Sequence, residues 1–136
     1  MAVVVRQSVV LGEGALKPLS NPSIVGTHPK RKRLVVLESP YAGDAGRHVE
    51  FARKCLRDSL DRGEAPMASH LLYTQVLDDG DRDERAAGIN AGHAWLHRAD
   101  AVVVYTDLGI SEGMRAGIAT AELHGVPIEY RLLAPA

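Results

Sequence analysis

From Leu34 onward the chain alternates short apolar runs with segments of helical spacing. Leu34-Val35-Val36-Leu37 and Ala101-Val102-Val103-Val104-Tyr105 are continuous apolar runs, the pattern of strands buried on both faces. Between them, Ala45 to Arg62 places Val49, Ala52, Leu56 and Leu60 at helical spacing and stops at Gly63. Ala65 to Ser69 reads as a second short strand. Asp81 to His97 reads as a helix, with Asp81 as its cap, Asp83 and Glu84 in its first turn, and Ile89, Trp95 and Leu96 as apolar bulk. Ser111 to His124 reads as a third helix, with Met114, Ile118 and Ala121 facing the core, and Gly125 and Pro127 closing it. Ile128 to Leu132 reads as the last strand. This alternation predicts right-handed crossovers and a flavodoxin-like (Rossmann-like) α/β fold. The expected architecture is a three-layer sandwich around a mostly parallel sheet of four to five strands.

Residues 1–32 break the pattern. Val3-Val4-Val5 and Val9-Val10-Leu11 suit a short strand pair or an arm, but Gly12, Gly14, Pro18, Pro22, Gly26 and Pro29 leave room for no long element. The division expected is therefore an N-terminal arm over 1–32, wrapping its own domain or a neighbouring subunit, and one domain over 33–136. Lys30-Arg31-Lys32-Arg33 joins them and reads as a solvated strand entrance rather than a nucleic-acid patch.

Composition narrows the classes. With 16 Lys+Arg against 17 Asp+Glu the net charge is -1, which gives no general attraction to nucleic acid or an anionic membrane. No apolar stretch approaches the ~20 residues of a membrane span. Met1-Ala-Val-Val-Val meets Arg6 and Gln7 too early for a secretory signal. The expectation is a cytoplasmic protein. The lone Cys55, beside the apolar stripe of the first helix, reads as packing and excludes a disulfide framework. His93 and His97 share a helical face without an evident third ligand, so no metal and no cofactor is expected.

Ligands of open parallel sheets sit beyond the carboxyl ends of the strands, where the winding reverses. After the first strand come Glu38, Ser39, Pro40, Tyr41, Gly43 and Asp44. Small residues there let the backbone approach a ligand, and the helix start offers free N–H groups. Asp44 serves equally as a plain helix cap, and Glu38 reads either as a buried carboxyl with a raised pKa or as one paired to an arginine. His70 follows the second strand, with Tyr73 and Gln75 placed to bond a nucleobase edge or merely to line a loop. After the third strand come Asp107, suited to sugar hydroxyls, and Ser111, Glu112, Gly113, Met114 and Arg115 at a helix start. Neither a Walker loop nor a GxGxxG is present.

Three stretches together, Ser39-Pro40-Tyr41-Ala42-Gly43-Asp44, Ala99 to Asp107, and Gly113-Met114 through Gly125-Val126-Pro127, resemble the nucleoside 2-deoxyribosyltransferase-like superfamily. The resemblance is nearest to small uncharacterised phage and bacterial members with a "SPYAGD" loop, and covers residues 33–132. It implies cleavage or exchange of the N-glycosidic bond of a deoxynucleoside or its 5′-monophosphate. It also implies a homo-oligomer, dimer or larger, with a small nucleoside or nucleotide as partner and neither nucleic acid nor membrane. Tyr41 takes the role of the tyrosine that orients a glutamate nucleophile, and Asp107 that of the aspartate beside base or sugar. The glutamate itself is displaced: its position falls on Arg115 or on Gly117, depending on the end from which the helix is matched. Glu112 and Glu38 are the remaining carboxyls at that edge. Ser39 and Ser111 are the expected phosphate or ribose donors. Two readings result, an N-glycosidic enzyme using a displaced carboxylate, and a catalytically silent nucleotide binder, a sensor or scavenger, with Arg115 facing an anion.

Overall fold

The computed structural model describes residues 31–133, so nearly all of the expected arm lies outside the described residues. Four strands are described, β1 (Leu34–Glu38), β2 (Ala65–Met67), β3 (Ala101–Tyr105) and β4 (Ile128–Arg131). They pair in parallel in the order β2-β1-β3-β4. The chain steps one way from β1 to β2 and the other way from β3 to β4, which puts the switch point between the central strands β1 and β3. This is the flavodoxin-like three-layer sandwich that the alternation predicts.

Each face of the sheet has its own core. Val35, Leu37, Val103 and Tyr105 pack with Cys55 of helix α1 (Ala45–Asp61). Val36, Val102 and Val104 pack with Leu96 and with Met114 and Ala121 of helix α4 (Glu112–Leu123). β3 is buried at every position, as its unbroken apolar run requires. On α1 the buried positions are Ala52, Cys55 and Ser59, whereas Leu60 is exposed. The helix thus meets the sheet along Ala52, Cys55 and Ser59, with Phe51 and Leu56 packed beside them, while Leu60 faces solvent. Cys55 packs as expected, and burial pushes its thiol up to about 12.

The second strand is shorter than its expected span. β2 ends at Met67, and helix α2 (Ser69–Leu72) with a 3₁₀ turn at Tyr73–Gln75 occupies what reads in sequence as strand end and loop. Helix α3 (Arg82–Ala94) starts on Asp81, which accepts from Asp83 N and Glu84 N, and tightens into a 3₁₀ turn over Trp95–Arg98. Leu96 alone of its three expected core residues is buried; Ile89 and Trp95 are largely exposed. α2 and α3 pack closely because Gly92 lies against Ser69, where an added Cβ would meet Ser69 Cβ at 2.8 Å. Arg33 at the strand entrance pairs with Glu64 at 3.1 Å and with Glu129, while Lys32 Nζ donates to the Gly63 carbonyl. Both cations thus serve the fold. No helix among the described residues is long and apolar enough to cross a membrane.

Candidate functional site

A cleft of about 230 Å³ opens at the carboxyl end of β1, walled by the loop after it, by α2, by α3 and by the start of α4. The loop leaves β1 through Ser39 and Pro40, turns at Gly43 with φ +94°, and enters α1 under the cap of Asp44, which accepts from Arg47 N. A positive φ there favours glycine. The His48 Nδ1–H donates to the Tyr41 carbonyl at 3.0 Å and pins the middle of the loop. Asp44 and Gly43 therefore build the turn, and neither they nor the buried Pro40 line the cleft.

Glu38, Ser39, Tyr41, His70, Tyr73, Ser111, Glu112, Gly113 and Met114 do line it. Ser39 is buried, and its Oγ shares a hydrogen bond of 2.7 Å with His70 Nε2. Burial pulls the His70 imidazole down to about 4, so it is neutral at pH 7. The Tyr41 ring stands edge-on to it, 6.5 Å between centroids. Ser111 caps α4 by accepting from Met114 N at 3.2 Å, and Glu112 sits in the first turn of that helix.

Glu38 points to the α4 side of the sheet, as alternation from Val36 requires. Its carboxyl lies over Gly117, where an added Cβ would come within 2.8 Å of Glu38 Cδ. No hydrogen bond or ion pair reaches it among the described residues. Burial raises its pKa to about 8. The raised-carboxyl alternative thus holds, and pairing to an arginine does not.

Other expected residues stand apart. Asp107 accepts from Leu133 N at 2.8 Å outside the lining. Gln75 donates to the Leu71 carbonyl and is exposed, and Arg115 is exposed on α4 away from the cleft wall. His93 lines the cleft with Nδ1 3.3 Å from Thr120 Oγ1, whereas the His97 ring lies against His124. The two do not converge on one point, and no metal-holding group of three is found among the described residues. Sequence reasoning did not find the wall made by Asp79, Glu84, Arg85, Gly88 and Gly92. Its signal was the Gly88/Gly92 spacing on α3, a stripe fit for close packing.

The family model described as "Domain of unknown function (DUF7768)" matches residues 33–131. No curated protein matches the chain by sequence. Among solved structures, a 2-deoxyribosyltransferase from the psychrotolerant bacterium Bacillus psychrosaccharolyticus aligns with 71% of this chain and 70% of its own, at TM-score 0.53 and 18% identity. That likeness shows a shared fold.

Proposed function

The chain belongs to the DUF7768 domain family, and from that premise and its cleft we propose that it cleaves or exchanges the N-glycosidic bond of a deoxynucleoside or its 5′-monophosphate. The carrying observation is Glu38, a largely buried carboxyl without a partner among the described residues, set at the cleft and raised to about 8. At neutral pH such a group is a proton donor, and a departing base needs a proton. Glu112 faces the same cleft and is the carboxylate that meets the oxocarbenium-like carbon, as nucleophile or as stabilising charge. Glu38 gives its proton to the base nitrogen as the C–N bond breaks. Water or a second base then takes the sugar, and the proton that it releases returns to Glu38. Tyr41, from the loop, positions the sugar beside them.

A fold shared with a 2-deoxyribosyltransferase supports this reading. The silent-binder reading drew on the lack of a carboxylate at Arg115 and Gly117. With the Glu38 carboxyl lying over Gly117 and Arg115 outside the lining, that support is weakened.

The test is mass spectrometry of the purified protein incubated with mixed ribo- and deoxynucleosides and their 5′-monophosphates. Free base, or base exchange, is the expected product, and Glu38→Gln removes it. An unaltered nucleotide retained on the protein would point to a binder instead, and the absence of both turnover and retention would sink the proposal.

A further inference from the structure

The groups around the cleft bear on whether the substrate carries a 5′-phosphate. Among the described residues, four carboxyl groups line it, Glu38, Asp79, Glu84 and Glu112, against one guanidinium, Arg85. Arg85 Nε already lies 3.7 Å from Asp79 Oδ1. The imidazoles of His70 and His93 are both held below their ordinary pKa by burial, so neither offers positive charge at neutral pH.

Both hydroxyls that sequence assigns to a phosphate already have a partner, although Ser111, an acceptor only, keeps its O–H to donate. Ser39 Oγ is bonded to His70, and Ser111 Oγ accepts from Met114 N. A helix start draws anions through free N–H groups and its dipole, but Glu112 already stands in the first turn of α4. Glu38 is an independent sign that a ligand belongs here, being a largely buried carboxyl that faces the cleft and has no partner among the described residues.

We infer that the cleft takes an N-glycoside without a phosphate, and that the carboxylates of Asp79, Glu84 and Glu112 turn away the 5′-monophosphate of the same nucleoside. This rests on the glycosidic reading above. Glu38 is protonated there at neutral pH and adds no charge. Sugar hydroxyls donate to carboxylates, which suits a lining rich in acceptors. A dianionic phosphate would meet like charges at close range and would have to draw Arg85 away from Asp79.

Trp95, the chain's sole tryptophan, is a built-in reporter. Its Nε1–H donates to the hydroxyl of cleft-lining Tyr73 at 2.9 Å. Its fluorescence, checked by isothermal titration, follows binding of each deoxynucleoside and of its own 5′-monophosphate at low and high salt, with base release measured in parallel. The nucleoside is expected to bind about tenfold tighter or more at low salt, with the gap closing as salt screens the carboxylates. Glu112→Gln is expected to narrow the gap as well. A monophosphate that binds as tightly as its nucleoside overturns the inference and leaves the glycosidic reading standing. If neither binds and no base is released from either, both fall.

Discussion

A carboxyl group raised to about 8 from an ordinary 4.5 changes both what Glu38 does and what it costs. As the proton donor, it makes base release fall as pH rises above about 8, and a pH–rate profile of the wild type checks this. In stability terms, the folded state holds the Glu38 proton after the unfolded chain has lost it. This contribution is full below 4.5 and is lost as pH rises to about 8. His70 has the opposite sign: held down to about 4 from 6.5, its contribution is present above 6.5 and lost as pH falls toward 4. The slopes oppose one another at mildly acid pH, and above 6.5 that of Glu38 stands alone. Between pH 6.5 and 8 stability is expected to fall by roughly 2 kcal/mol, at 1.36 kcal/mol per unit. Urea denaturation of wild type and Glu38→Gln reads this directly, since the variant should lose that slope; an unchanged slope would reject the buried-acid assignment. Gly117 belongs to the same argument. Alanine in a helix interior is ordinarily favoured over glycine by about 1 kcal/mol, yet here its Cβ would press on Glu38 Cδ at 2.8 Å. Gly117→Ala is expected to gain no stability and to lower base release several-fold, with its pH profile displaced as the Glu38 carboxyl shifts. A merely structural Gly117 would leave that profile in place.

The short helix α2 matters more to the cleft than its length suggests, because it carries His70 and Tyr73 follows it directly. Its place depends on Gly92, and Gly92→Ala is expected to destabilise the protein by about 1–3 kcal/mol, in the manner of overpacking. Gly46→Ala on α1 is the control: nothing lies within 4 Å of its added Cβ, and that change should be neutral or stabilising. Denaturant midpoints of the two variants separate the cases, and a Gly92→Ala midpoint matching that of Gly46→Ala would mean α2 can move freely. This helix also marks the limit of what sequence discloses. β1, β3 and the long helices are legible because an apolar run of four or five residues or a stripe over three turns has a pattern to read. Four helical residues have none, so Ser69–Leu72 reads as a strand end and the loop after it. The stripe of α1 is legible only in part for a related reason: Ala52 and Leu56 do face the core, but Cys55 and Ser59 carry little hydrophobic signal while letting the helix close on the sheet. Of the residues placed at strand ends, Glu38, Ser39, Tyr41, His70 and Ser111 line the cleft, whereas Gln75 and Asp107 do not, and the wall beside α3 has no such signal. The strand-end rule points to the loops that follow strands, whereas Glu84 and Arg85 reach the cleft from α3, which packs on α2, and Asp79 from the turn before α3.

Across the whole molecule, a polar network joins segments that no local pattern connects. Arg131 at the end of β4 forks onto Glu64 just before β2, at 2.8 and 2.6 Å, although 67 residues separate them. Ser59 of α1 donates to the same carboxylate at 2.7 Å, Arg33 adds a further bond, and the Arg131 guanidinium lies over the Tyr105 ring. Tyr105 in turn donates to Asp58 of α1 at 2.7 Å, so strand ends, strand entrance and first helix share one network. Both Arg131 and Glu64 are buried, and removing one partner of such a pair strands the other. Arg131→Met is therefore expected to cost about 3 kcal/mol, toward the lower end of the range because Arg33 still reaches Glu64. Glu64→Leu leaves Arg131 with Glu129 as its carboxylate partner, at 3.0 Å, and is expected to cost a similar amount. The double variant should cost clearly less than the two singles together, which a double-mutant cycle in urea measures. Acid gives a second view of the same pair. The hydrogen bonds from Arg131 hold Glu64 down at about 2, so its contribution is present above 4.5 and is lost as pH falls through 2. Without Arg131 that carboxylate protonates nearer its ordinary value, and the acid midpoint of Arg131→Met, followed by circular dichroism, should move upward. Strict additivity of the two substitutions, with an unmoved acid midpoint, would mean that the network decorates the fold rather than ties it together.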